Sequence, residues 1–163
     1  MNGTIGNRLD KRRIIFICLT LLWMGVIFAF SSRDGDESTR DSNEVGYFIG
    51  RLVISDFEDK TPEEQLAFAE KVDQGVRKTA HATEYAVLAM LLCGVFLAVD
   101  DRKKWYIPWS IATMYAATDE IHQLFVPGRD GNVIDVCIDS AGALVGGIII
   151  VCILNFGSVK KRA

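Results

Sequence analysis

The chain is predicted to fold as an all-α integral membrane four-helix bundle, a single domain over residues 1–163 whose external segment contains one or two short helices. Three observations predict it. Half of the residues are apolar. They gather in four runs, at about 14–30, 79–99, 105–126 and 133–154, each long enough to cross about 30 Å of hydrocarbon. Basic clusters flank the runs at Lys11-Arg12-Arg13, Arg102-Lys103-Lys104 and Lys160-Lys161-Arg162. Lipid offers no partners for backbone polar groups, so such runs cross as helices that close their own hydrogen bonds. An even number of spans puts all three basic clusters, and both termini, on the cytoplasmic side; the flanking charges set this orientation, not the overall charge of -3. Too little chain is left over for a separate soluble core.

The first run follows Lys11 to Arg13 and ends at Ala29-Phe30-Ser31, a layout that a secretory signal also has. Its length favours a retained anchor. Intact mass of the purified protein is expected to include it; a mass beginning at Ser32 would contradict that.

The external insert, 31–78, is acidic. Residues 31–43 are polar and expected to be irregular. Tyr47, Phe48, Ile49, Leu52, Val53 and Ile54 predict a short interfacial helix over 45–54. Thr61-Pro62-Glu63-Glu64 has the pattern of a capping box with proline at the first helical position. Leu66, Ala69, Val72 and Val76 continue an apolar stripe toward the second span, with Gly75 the expected place for a bend.

The spans carry polar groups at matched depth. At 100° per residue, Lys78, His81, Glu84 and Tyr85 share about a third of the second helix's circumference. The third span closes on Asp119, His122 and Gln123 along one face with Glu120 at its edge. The fourth opens with Asp135, Asp139, Gly142 and Gly146 in one stripe, which faces protein rather than lipid. With the orientation above, all three faces fall in the outer half of the bilayer. An unpaired aspartate at a helix centre costs about 2.5–3.5 kcal/mol on insertion scales, so such groups persist by pairing or by bordering water. Lys78 and Arg129, with either histidine if protonated, face Glu84, Asp119, Glu120, Asp135 and Asp139. Acids outnumber fixed bases, so a closed layer must hold a proton or a cation.

The candidate ligand-binding set is therefore Lys78, His81, Glu84, Tyr85, Asp119, Glu120, Gln123, Arg129 and Asp135. For catalysis, Glu120 or Asp119 is the candidate general base and His81 the proton shuttle. Asp139 with Gly142 and Gly146 is assigned to close helix packing, and Ser31 and Ser32 to a helix end. Cys18, Cys93, Cys137 and Cys152 lie inside spans without C-x-x-C spacing and read as packing residues. No cofactor and no metal site is expected, since His-Glu-x-x-His is missing. A nucleophile elbow, a phosphate-binding glycine loop and any nucleic-acid motif are missing too.

Several of these residues together resemble the VanZ-like membrane proteins: Phe30-Ser31-Ser32, Lys78-x-x-His81-x-x-x-Tyr85, Asp119-Glu120-x-x-Gln123-x-Phe125-Val126-Pro127-Gly128-Arg129, and Asp135 with Gly142 and Gly146. The resemblance covers nearly the whole chain. It implies a multi-pass protein of the bacterial cell membrane, of the type whose namesake lowers susceptibility to the lipoglycopeptide teicoplanin. The long acidic insert departs from a minimal version of that family. Three functions follow as expectations: a binding protein for a membrane lipid or amphiphilic small molecule (a lipid-linked envelope precursor or lipoglycopeptide), a membrane enzyme acting on a lipid headgroup, or a scaffold that recruits a partner. Nothing in the sequence specifies that partner protein.

Overall fold

The computed structural model describes residues 3–96 and 104–160, and among these the chain is all-helical. Its helices are α1 (Gly3–Ser31), α2 (Gly35–Val53), α3 (Pro62–Phe96), α4 (Tyr106–Gln123) and α5 (Val133–Lys160), with a 3-10 turn at Phe57–Asp59. Arg102, Lys103, Lys161 and Arg162 of the basic clusters, and the last residues of the expected second span, lie outside the described residues.

Among the described residues, three helical segments are long and apolar enough to cross a membrane: Lys11–Ser31, Pro62–Phe96 and Val133–Phe156. The third expected span, 105–126, becomes the 18-residue α4 and a following turn. Its last two turns hold Asp119, Glu120, His122 and Gln123, which dilute its apolar character below that of the other three. Its neighbours shield those groups: Ala112, Ala116, Asp119, Glu120 and Gln123 are all buried.

Of residues 31–43, expected from their composition to be irregular, only the turn at 32–34 is so, because α2 starts at Gly35. The Asp34 carboxylate caps the helix by accepting from the Glu37 N–H at 2.8 Å, and Asp36 and Glu37 sit in the positive first turn. Tertiary docking then holds it. Ser42, Gly46 and Gly50 form a buried small-residue stripe. Ser42 donates to the Asp73 carboxylate, a Cβ at Gly46 would press on Ala69, and one at Gly50 would strike the Phe57 ring. The descending partner numbers make α2 antiparallel to the start of α3. Its bulky residues Val45, Phe48, Leu52 and Val53 are left on the outer side.

The capping box at Thr61 closes in both directions. The Glu64 N–H donates to Thr61 Oγ1 at 3.3 Å, and the Thr61 N–H donates to Glu64 Oε2 at 3.0 Å. Thr61→Ala is expected to cost about 1 kcal/mol, read as faster hydrogen exchange in the first turn of α3. From there α3 runs unbroken through Gly75 for 35 residues, about 52 Å at 1.5 Å per residue. That exceeds the hydrocarbon thickness, which leaves its polar first turns for α2.

The core joins Ile27 of α1, Tyr85, Leu88, Ala89 and Leu92 of α3, Ala112 and Ala116 of α4, and Ala143 of α5. Two hydrogen bonds tie α1 into it: Trp23 Nε1 donates to the Glu84 carbonyl at 2.9 Å, and the Tyr115 hydroxyl donates to the Met24 carbonyl at 2.8 Å. Between α3 and α5, a Cβ at Gly142 would collide with the Ala82 carbonyl and one at Gly146 with the Ala86 carbonyl. These glycines permit a close approach of the two helix backbones. Ile14, Leu21, Leu22, Ile148 and Ile153 point outward, as an apolar solvent requires. Cys93 packs in the core, whereas Cys18, Cys137 and Cys152 lie on the outer surface rather than in packing positions.

Candidate functional site

A charged chamber of about 310 Å³ opens where α3, α4 and α5 meet the turn that joins α4 to α5. On α3, Gln74, Arg77, Lys78 and His81 share one face and form one wall. Glu120 and Gln123 enter from α4, Asp135 and Asp139 from α5, and Arg129 and Asn132 from the turn.

The turn is held in place from both sides. Gly128 takes φ +71, a left-handed conformation that glycine adopts at no steric cost. The Gly35 N–H donates to the Pro127 carbonyl at 3.0 Å, which docks the start of α2 onto it. Arg129 Nε donates to the Arg33 carbonyl at 3.2 Å and its Nη2 to the Phe30 carbonyl at 3.5 Å. The Asn132 N–H donates to Glu120 Oε2 at 2.8 Å, and Asn132 Oδ1 accepts from the Ile134 N–H at 2.9 Å to cap α5. Sequence motifs about 100 residues apart thus meet at one corner.

Charge inside the chamber is only partly paired. Lys78 Nζ lies 3.4 Å from Asp135 Oδ1, and Arg77 Nη2 bonds Asp73 Oδ2 at 2.5 Å. Arg129 has no carboxylate within 4.0 Å among the described residues; its bonds go to carbonyls. Burial, and then the Arg77 guanidinium, lower its pKa below the ordinary arginine value. An anion entering here would relieve that penalty.

Of the residues singled out in the sequence, Lys78, His81, Glu120, Gln123, Arg129 and Asp135 line the chamber. Glu84 lines an adjoining cavity of about 260 Å³ beside α1 and α2, which shares Arg77, His81 and Arg129 with the chamber. Tyr85 and Asp119 are packed behind the wall: Tyr85 is fully buried near the Tyr115 ring, and Asp119 accepts from Gln123 Nε2 at 3.4 Å. Glu120 is not at the edge of the polar face but within the chamber. His122, 200° further round α4, therefore turns to α1, where it meets the Phe28 ring at 4.7 Å and Ser32 Oγ at 3.2 Å.

Asp139, expected to reinforce the packing at Gly142 and Gly146 with a hydrogen bond, makes no such bond and also faces the chamber. It is fully buried, lines the chamber, and neither carboxylate oxygen has a hydrogen-bond partner. His81 Nδ1, also buried and unpartnered, is 4.0 Å from Asp139 Oδ2. The signal for it was its position one turn beyond Asp135 on the same stripe. Arg77, one turn before His81, was missed in the same way.

An apolar groove of about 500 Å³ lies beside the chamber along α3 and α5, lined by Ala82, Ala86, Ala141, Gly142 and Val145. Lys78 and Ile138 belong to both spaces.

Long apolar helices around a charged chamber, with apolar side chains turned outward, define an all-α membrane protein with a polar site among its helices. The VanZ/LLP1 family model matches residues 16–155, most of α1 through most of α5, and the chain belongs to that family. No curated protein and no solved structure matches it significantly.

Proposed function

We propose that this is a four-span protein of the bacterial cell membrane, with both termini cytoplasmic, that binds an amphiphile: the anionic headgroup occupies the chamber from the outer leaflet, and the tail lies in the α3–α5 groove. The observation that carries this reading is that the two spaces are neighbours, sharing Lys78 and Ile138 in their walls, which suits one molecule with a charged end and an apolar end. Arg129, whose hydrogen bonds among the described residues go to carbonyls, is the group best placed to receive a phosphate or carboxylate. Lys11 to Arg13 lie toward the opposite end of α1 from Phe30, which borders the Arg129 corner; the positive-inside rule then puts the chamber outside. The outward stripe of Val45, Phe48, Leu52 and Val53 suits an α2 resting in the outer interface. Lipid-linked envelope precursors and lipoglycopeptides such as teicoplanin have the required chemistry, and retention of either gives the protein an envelope or glycopeptide-resistance role.

The test is binding of a lipid-linked envelope precursor and of teicoplanin to the protein in nanodiscs. Arg129→Gln is expected to weaken binding at least about tenfold, since a charge-assisted hydrogen bond contributes about 1.5–3 kcal/mol. Ala141→Phe, which obstructs the groove, is expected to weaken the lipid but not a soluble headgroup analogue. Binding unchanged in both variants would remove the proposal.

A second reading, a membrane enzyme with Glu120 as base and His81 as proton shuttle, draws support from their donor atoms lying within 4.8 Å of each other, a span that one water bridges. It requires turnover of a lipid substrate that Glu120→Gln abolishes; binding without conversion across pH and divalent ions would reject it.

A further inference from the structure

We propose that His81, Glu120 and Asp139 hold a divalent transition-metal ion, zinc or manganese, at the buried wall of the chamber. This goes beyond amphiphile binding and stands or falls separately from it.

The donor set comes from three helices that local spacing does not relate: His81 on α3, Glu120 on α4 and Asp139 on α5. One nitrogen and two carboxylate oxygens lie within 4.8 Å of one another. Around a tetrahedral ion with bonds of about 2.0–2.2 Å the donors stand about 3.3–3.6 Å apart, so side-chain movements of about 1 Å close the set. Two of the three residues have donor atoms with no other partner. Both Asp139 oxygens and His81 Nδ1 are buried and unpartnered, although they line the same cavity. A fully buried carboxylate without a hydrogen bond is costly unless neutralised, and its nearest basic group, His81 Nδ1 at 4.0 Å, is too far to bond it.

Glu120 is oriented in the way a ligand carboxylate needs. Its Oε2 is held by the Asn132 N–H at 2.8 Å, which leaves Oε1 for an ion. Two carboxylates neutralise a divalent charge, and a set of one imidazole and two carboxylates without thiolate selects zinc or manganese over copper(I). Three protein donors leave coordination positions open toward the chamber, the arrangement of a site that also receives an exchangeable ligand.

The experiment uses the full chain in detergent, stripped with a chelator and then titrated. Zinc is followed by competition with a chromophoric chelator, and manganese by loss of the free-ion resonance signal. About one equivalent per chain is expected. Asp139→Asn and His81→Gln should each weaken binding at least about a hundredfold, since loss of mere outer partners already costs 10–100-fold. Two variants on different helices guard against misfolding of either one, and each is checked for a monodisperse elution profile. Absence of stoichiometric zinc or manganese uptake by the native chain would overturn the site, as would uptake unaltered in both folded variants. Amphiphile binding that persists in chelator would leave the functional proposal standing without the metal; metal uptake without amphiphile binding would do the reverse.

Discussion

Gly142→Val will unseat α5 from α3 and cost about 3 kcal/mol or more, read as loss of the monodisperse species in detergent and a large fall in thermal stability. The reason is geometric. A Cβ at Gly142 collides with the backbone carbonyl of Ala82, and a backbone cannot swing away as a flexible side-chain tip can. The whole helix must retreat, which would loosen Gly146 from Ala86 and pull Asp139 away from His81. Interiors are close-packed and stability is marginal, so that shift is a large share of the total. Gly147→Ala is the matched control: nothing lies within 4 Å of a Cβ there, and alanine should be neutral or stabilising by up to about 1 kcal/mol. If Gly142→Val unfolds no earlier than Gly147→Ala, the α3–α5 packing described above is wrong.

Asp139→Asn will be the more stable form in chelator, and zinc will cancel or reverse that difference. In chelator the variant should be the more stable by about 1–3 kcal/mol, because an amide of the same shape removes the charge from a fully buried, unpartnered position. With zinc at about a hundred times its dissociation constant, the native chain should gain about 2.7 kcal/mol that the variant does not. Thermal unfolding of both proteins in both conditions gives the four values needed. A variant less stable than the native chain in chelator would mean that the Asp139 carboxylate already has a stabilising partner.

The capping box, the long apolar helices and the polar clusters at the ends of the spans were legible in the residues, because each depends on a helix's own chemistry. The Thr61 cap closes as its spacing predicts. The insert was harder. Residues 35–43 are poor in apolar side chains, yet they are helical because Ser42 and Gly46 fit against Asp73 and Ala69, neighbours that only folding supplies. Likewise α4 shows the weakest membrane signal because its polar end is buried by other helices rather than by apolar side chains of its own.

The sequence by itself determined the helical class, the membrane-length apolar runs, the family and the reservoir of charged residues near the helix ends. The 100° rule gives angles between residues within one helix, so it could state that Glu120 and His122 point apart. It could not say which of them looks inward, since that depends on how each helix is rotated against the others. Tertiary structure decided that rotation through backbone contacts at Gly142 and Gly146 and the docking of Gly35 on Pro127. It thereby brought Asp139 to His81 and Glu120 and sent His122 to α1.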